Sequence, residues 1–102
     1  MNTKISAMKF LEKLSGKSLS LGSFLESIRL GEEMSQVEFA KKIKISRSHL
    51  CDIEKGRKLV SPSRAVEFAN TLGYSPIQFV RLSLQDELSK SGLKFKIQVD
   101  VA

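Results

Sequence analysis

The chain has 102 residues, 41% hydrophobic and 27% charged, a mixture that suits one small domain with a real core and no disordered tract. No apolar run approaches the roughly 20 residues needed to span a bilayer, and no signal-type segment follows the first lysine, so a cytoplasmic protein is expected. Cys51 and His49 are the only residues of their kinds and stand two apart, which would splay them on a helix; neither a disulfide, a metal site nor a Cys–His nucleophile is supported, and neither enzymatic activity nor a cofactor is expected.

The formal charge of +6 is unevenly spread. Eight of the seventeen Lys and Arg residues lie between Lys41 and Arg64, where Asp52 and Glu54 are the only acids. Elsewhere nine basic residues face nine acidic ones, so the whole excess sits on this one stretch. A localised positive field of that kind suits a phosphate backbone better than a small substrate.

Along the chain, Ile5, Met8, Leu11 and Leu14 recur every third position and predict a short amphipathic helix with Lys4, Lys9, Glu12 and Lys13 outward. Ser15-Gly16-Lys17-Ser18 then reads as a linker; without an upstream glycine cradle it is a poor phosphate loop. Residues 1–19 are therefore expected to form an N-terminal extension, 20–90 the main domain and 91–102 a C-terminal element.

A helix is predicted from near Ser20 to about Glu32, with Leu21, Phe24, Leu25 and Ile28 inward. The next begins at Ser35, followed three residues later by Glu38 in the capping-box pattern. Val37, Phe39, Ala40 and Ile43 are expected to form its buried face, with Lys41, Lys42 and Lys44 toward solvent or phosphate. Only Lys44 and Ile45 then precede a new cap, Ser46, so the two helices must meet steeply. The third helix is predicted over Arg47 to Lys55, with Leu50 and Ile53 inward and Gly56 closing it in the left-handed region. Ser61-Pro62 and Ser75-Pro76 each pair an N-cap serine with proline at the first helical position, opening helices to Leu72 and to about Lys90. After Ser91-Gly92, Phe95, Ile97, Val99 and Val101 alternate with Lys94, Lys96, Gln98 and Asp100, which predicts a one-sided β-strand with no partner elsewhere in the chain.

These signatures give the chain a resemblance to the helix-turn-helix family of phage repressors and Cro proteins, over about Leu21 to Phe79. The resemblance is carried by Arg29, Met34-Ser35-Gln36-Val37-Glu38-Phe39-Ala40, Ile45-Ser46-Arg47, Leu50-Cys51-Asp52-Ile53-Glu54-Lys55-Gly56 and Ala69-Asn70-Thr71-Leu72-Gly73. It implies a mainly α, five-helix helix-turn-helix domain, here with a helical extension before it and the β-strand after it.

The resemblance also implies roles. Arg47, Ser48 and Asp52 match positions that face the major groove, while Gln36 and His49 match positions at or near phosphate, Gln36 alternatively supporting a base-reading side chain. Arg29 and Glu54 match a buried ion pair that ties the first helix to the recognition helix. The chemistry agrees: Arg47 can grip guanine O6 and N7 with two hydrogens, a contact worth about 1–3 kcal/mol of discrimination, or stand as a solvated charge. Asp52 either accepts from cytosine N4 or orients Arg47. Cys51 is read as a small side chain near the DNA face. Lys41, Lys42, Lys44, Lys55, Arg57 and Lys58 complete the expected phosphate-contacting set.

The expected partner is a double-stranded operator with an inverted repeat, bound by a homodimer that represses its own operon. Phe95, Ile97, Val99 and Val101 are the expected dimer or partner surface, by strand exchange or by folding back as a tail. With no further domain expected, control would come from concentration or from a protein partner. The compact form is similar to antitoxins that neutralise a cognate toxin and repress their own operon. A protein-interaction module without specific DNA binding is the alternative from another class.

Overall fold

Five serines stand immediately before five helices in the computed structural model, which describes residues 19–102. The helix expected over Ile5–Leu14 and the linker after it lie outside the described residues. The helices are α1 (Leu21–Gly31), α2 (Gln36–Lys42), α3 (Arg47–Glu54), α4 (Pro62–Leu72) and α5 (Pro76–Lys90). Ser20, Ser35, Ser46 and Ser61 each accept from the backbone N–H three residues on, at 3.1–3.3 Å, which satisfies one of the donors a helix start leaves open. Ser20 and Ser35 make full capping boxes, the latter with Glu38 reaching back to the Ser35 N–H at 3.1 Å. Ser75 occupies its N-cap position without a side-chain cap bond, leaving Pro76 to start α5.

The helix ends are equally regular. After α1, α2 and α3, the residue three beyond the helix's last residue donates back across the final turn: Met34 to Arg29, Ile45 to Ala40 and Arg57 to Asp52, at 2.8–3.0 Å. The geometry requires one left-handed residue. Gly56 supplies it after α3 (φ 78°), but Glu33 (φ 56°) and Lys44 (φ 63°) supply it after α1 and α2 at a steric cost.

One core joins all five helices. Leu21, Leu25, Phe39, Leu50, Phe68 and Phe79 are among its most enclosed side chains, and Leu19 and Val60 add to it from the connecting segments. Phe24, Tyr74 and Phe79 meet ring to ring, with centroids 5.6–5.7 Å apart. Val37 is not part of this core; it is 60% exposed because α2 buries Phe39, Ala40 and Ile43, and Val37 lies off that face. Two polar ties span the fold. The buried Ser83 hydroxyl donates to the Val60 carbonyl at 2.6 Å, and the Leu21 N–H donates to Asp86 Oδ2 at 3.0 Å, so α5 caps the start of α1.

The expected C-terminal β-strand is absent: the described residues contain no strand, and 93–102 form a tail without regular secondary structure. A ladder needs a second strand, and none is present to accept or donate. Instead the Gln85 side chain stands in for one peptide group: its Nε2 donates to the Phe95 carbonyl at 2.7 Å, and its Oε1 accepts from the Ile97 N–H at 3.0 Å. The alternation is real but covers only its middle. Ile97 and Val99 are half-buried, whereas Phe95 and Val101 are 65% and 79% exposed.

Candidate nucleic-acid interface

The junction between α2 and α3 occupies Ile43 to Ser46. Lys44 turns the chain in the left-handed region, the Ile45 N–H closes onto the Ala40 carbonyl at 2.9 Å, and Ser46 at once caps α3. This leaves no slack, so α3 crosses α2 with Leu50 and Ile53 buried beneath it and its opposite face outward.

Two contacts fix α3 to α1. The first is backbone against backbone at Gly22, where a Cβ would lie 2.0 Å from the Ile53 carbonyl oxygen; only glycine permits this approach. The second is ionic. Arg29 Nε donates to Glu54 Oε2 at 2.8 Å and Arg29 Nη2 to Glu54 Oε1 at 3.0 Å, a two-pronged pair with side chains 12% and 1% exposed. Arg29 Nη1 also donates to the Met34 carbonyl at 3.1 Å, and Gln36 Nε2 to Glu54 Oε1 at 3.0 Å. Glu54 thus gathers the first three helices, and its hydrogen bond raises the Arg29 guanidinium above its usual range.

Gln36 is therefore half-buried with its amide committed to Glu54. On the outer side of α3, Arg47 and Ser48 are exposed, Cys51 and Asp52 are half-buried beside them, and His49 is half-buried on the flank. Lys41, Lys42, Lys44, Lys55, Arg57 and Lys58, on the segments that precede and follow this face, are all exposed. Lys42 shares its charge with Glu32, Nζ to Oε2 at 3.4 Å, an exposed pair that water and salt screen heavily. Arg64 lies with its guanidinium 6.0 Å from the Phe68 ring centre.

Asp52 meets Arg57 rather than Arg47. Its Oδ1 accepts from Arg57 Nε at 2.8 Å and its Oδ2 lies 3.7 Å from Lys58 Nζ. The Arg57 hydrogen bond holds the Asp52 carboxyl below its usual range, and the same contact raises Arg57. The basic loop after α3 is thus folded onto α3, and the one acid of the outer face is neutralised from within the protein.

Sequence reasoning passed over four residues that shape this site or its frame. Gly22 carried a usable signal, since a glycine inside a helical pattern points to a close approach. Ser83 and Asp86 look like ordinary polar positions on a helix, and Gln85 finds its partners only in a tail ten and twelve residues away; none of these three has a local signature.

Among the described residues no group of three or more His, Cys, Asp or Glu could hold a metal ion, Cys51 is a free thiol, and no helix is long and apolar enough to cross a membrane. On this two-helix corner α3 turns an exposed face outward, with exposed Lys and Arg residues on the segments before and after it. The Helix-turn-helix family model matches residues 25–79, over half of the chain, and the protein belongs to that family, within the superfamily of phage repressors and Cro proteins. It is a sequence-specific DNA-binding regulator. No curated protein and no solved structure matches the chain.

Proposed function

We propose that the protein is a homodimeric transcriptional repressor that acts in the cytoplasm on an inverted repeat in the promoter of its own operon. In this reading Arg47 and Ser48 enter the major groove with α3, and Asp52 acts from the same face. Lys41, Lys42, Lys44, Lys55 and Lys58, with His49 on the flank, meet phosphate on either side, Arg57 adds its charge from the loop after α3, and Gln36 supports the face from α2. The observation that carries the reading is the coincidence of two independent patterns. The entire charge excess of +6 falls between Lys41 and Arg64, and α3 with its exposed outer face lies within that same stretch. A dimer is needed because one such helix reads too few base pairs, and two helices about 34 Å apart would meet successive major grooves.

Protection mapping on the promoter upstream of the gene tests this. The expected result is a short protected inverted repeat, with Arg47→Ala relaxing choice at one base position in each half-site. Sequence-independent, weak binding would reject the regulator reading in favour of an interaction module.

A second function, neutralisation of a cognate toxin, is supported by the tail: Leu93, Phe95 and Val101 are 47%, 65% and 79% exposed and offer apolar surface to a protein partner. A basic, ribonuclease-like protein encoded beside this gene and co-purifying with the chain would support it. Loss of that complex on Phe95→Ser, with operator binding retained, would place the two functions on separate surfaces.

A further inference from the structure

Arg57 lies beyond the end of α3 yet folds back over it. Its Nε donates to Asp52 Oδ1 at 2.8 Å and its Nη2 to Cys51 Sγ at 3.6 Å. The backbone reinforces the fold: the N–H groups of Arg57 and Lys58 both donate to the Asp52 carbonyl, at 2.8 and 3.2 Å. A guanidinium carries two forks of paired N–H donors. Here the Nε/Nη2 fork is taken up by Asp52 and Cys51. The fork formed by Nη1 and the outer hydrogen of Nη2 faces away from that contact, on a side chain still 56% exposed.

The place where this fork is held matters. Residues 47, 48, 51 and 52 occupy one side of an α-helix, so a group pinned to Cys51 and Asp52 sits on the side that bears Arg47 and Ser48, about one helical turn further on. A cation that merely grips phosphate gains little from a fixed orientation, because phosphate accepts from many directions. A base edge is different; its two acceptors are reached only by a fork lying close to their plane. Asp52, with Oδ1 engaged by Arg57 and Oδ2 near Lys58, has little left with which to accept from a base.

We propose that Arg57 is a base-reading residue that takes the paired acceptors of a guanine, and that Asp52 is the positioning residue that holds it in plane. The proposal rests on α3 entering the major groove, as argued above, and adds a second specificity position that the loop rather than the helix supplies.

Selection from a pool of randomised duplex DNA, with wild type, Arg57→Lys, Arg57→Ala and Asp52→Asn compared at several salt concentrations, tests it. Thermal melts accompany each variant to establish that it is folded. Arg57→Lys keeps the charge and loses the fork. It is expected to erase a guanine preference of about 5- to 150-fold at one position per half-site, leaving the salt dependence unchanged. Asp52→Asn is expected to weaken preference at that same position, which differs from the one relaxed by Arg47→Ala. The proposal is overturned if Arg57→Lys leaves the selected sequence intact while Arg57→Ala weakens all sequences alike and flattens the salt slope by about one charge, the signature of a phosphate contact. In that case wild type still selects a motif and the regulator reading stands. A wild type that selects no motif ends both.

Discussion

Gly22→Ala tests the central geometric claim, that α3 is set against α1 by direct backbone contact. The added methyl would fall 2.0 Å from the Ile53 oxygen, 3.0 Å from the Ile53 carbonyl carbon and 3.4 Å from the Glu54 Cα. Ordinary contact needs more than 3 Å to each, so the two helices must separate by about 1 Å or tilt. Both sides are backbone, so no side chain can rotate out of the way. Overpacking of this sort costs about 1–3 kcal/mol, only partly offset by the better helix propensity of alanine. For a domain of this size that corresponds to a melting temperature lower by roughly 4–24 °C. Gly31→Ala is the matched control: its Cβ would meet nothing within 4 Å, and it should leave stability unchanged or raise it by up to about 1 kcal/mol. Thermal melts by circular dichroism read both. If Gly22→Ala melts with the control, the close approach of α1 and α3 is wrong, and with it the account of how α3 is aimed.

Three further outcomes are expected. Glu54→Ala leaves Arg29 and the Gln36 amide without their shared acceptor in a buried setting, and should cost about 3–5 kcal/mol by urea denaturation; a loss below about 1 kcal/mol would remove the pair from the frame. Lys44→Gly relieves a left-handed lysine and should stabilise the fold by about 1 kcal/mol. It should also flatten the salt dependence of DNA binding by about one phosphate contact, whereas Glu33→Gly, at the equivalent turn after α1, should stabilise without flattening it. Burial raises the Asp86 carboxyl above its ordinary 3.8, outweighing the Leu21 N–H that lowers it. The folded chain therefore keeps a proton that the unfolded chain has released, so Asp86's contribution to stability falls as pH climbs from about 3.8 through the raised folded value. Urea midpoints against pH should show Asp86→Asn becoming relatively more stable across that window; a difference independent of pH would contradict the assignment.

The helices were legible because their boundaries are written in local chemistry. Ser35 with Glu38, Ser46, Ser61-Pro62, Ser75-Pro76 and Gly56 act within three residues of themselves, and a window of sequence contains all they need. The charge excess between Lys41 and Arg64 is legible for a different reason, since charge can be counted without knowing the fold. Relationships between distant segments were not. Val37 carries the right apolar character but lies off the face that α2 buries. Phe95 to Val101 alternate as a strand would, yet periodicity describes one chain segment and is silent on whether a neighbour exists to pair with it. Asp52 and Arg47 share one helix face, so their sequence spacing points to each other or to a base; Arg57 reaches Asp52 only because Gly56 reverses the chain.

The double attachment of α3, by glycine contact near the start of α1 and by a buried guanidinium–carboxylate clasp near its end, makes the reading head stiff. A head that does not tilt passes the work of accommodation to its partner. In the proposed dimer, base pairs that no side chain touches, midway between the two half-sites, would then be chosen by how readily they bend or overtwist, and operator preference would extend into sequence that lies beyond the reach of either copy.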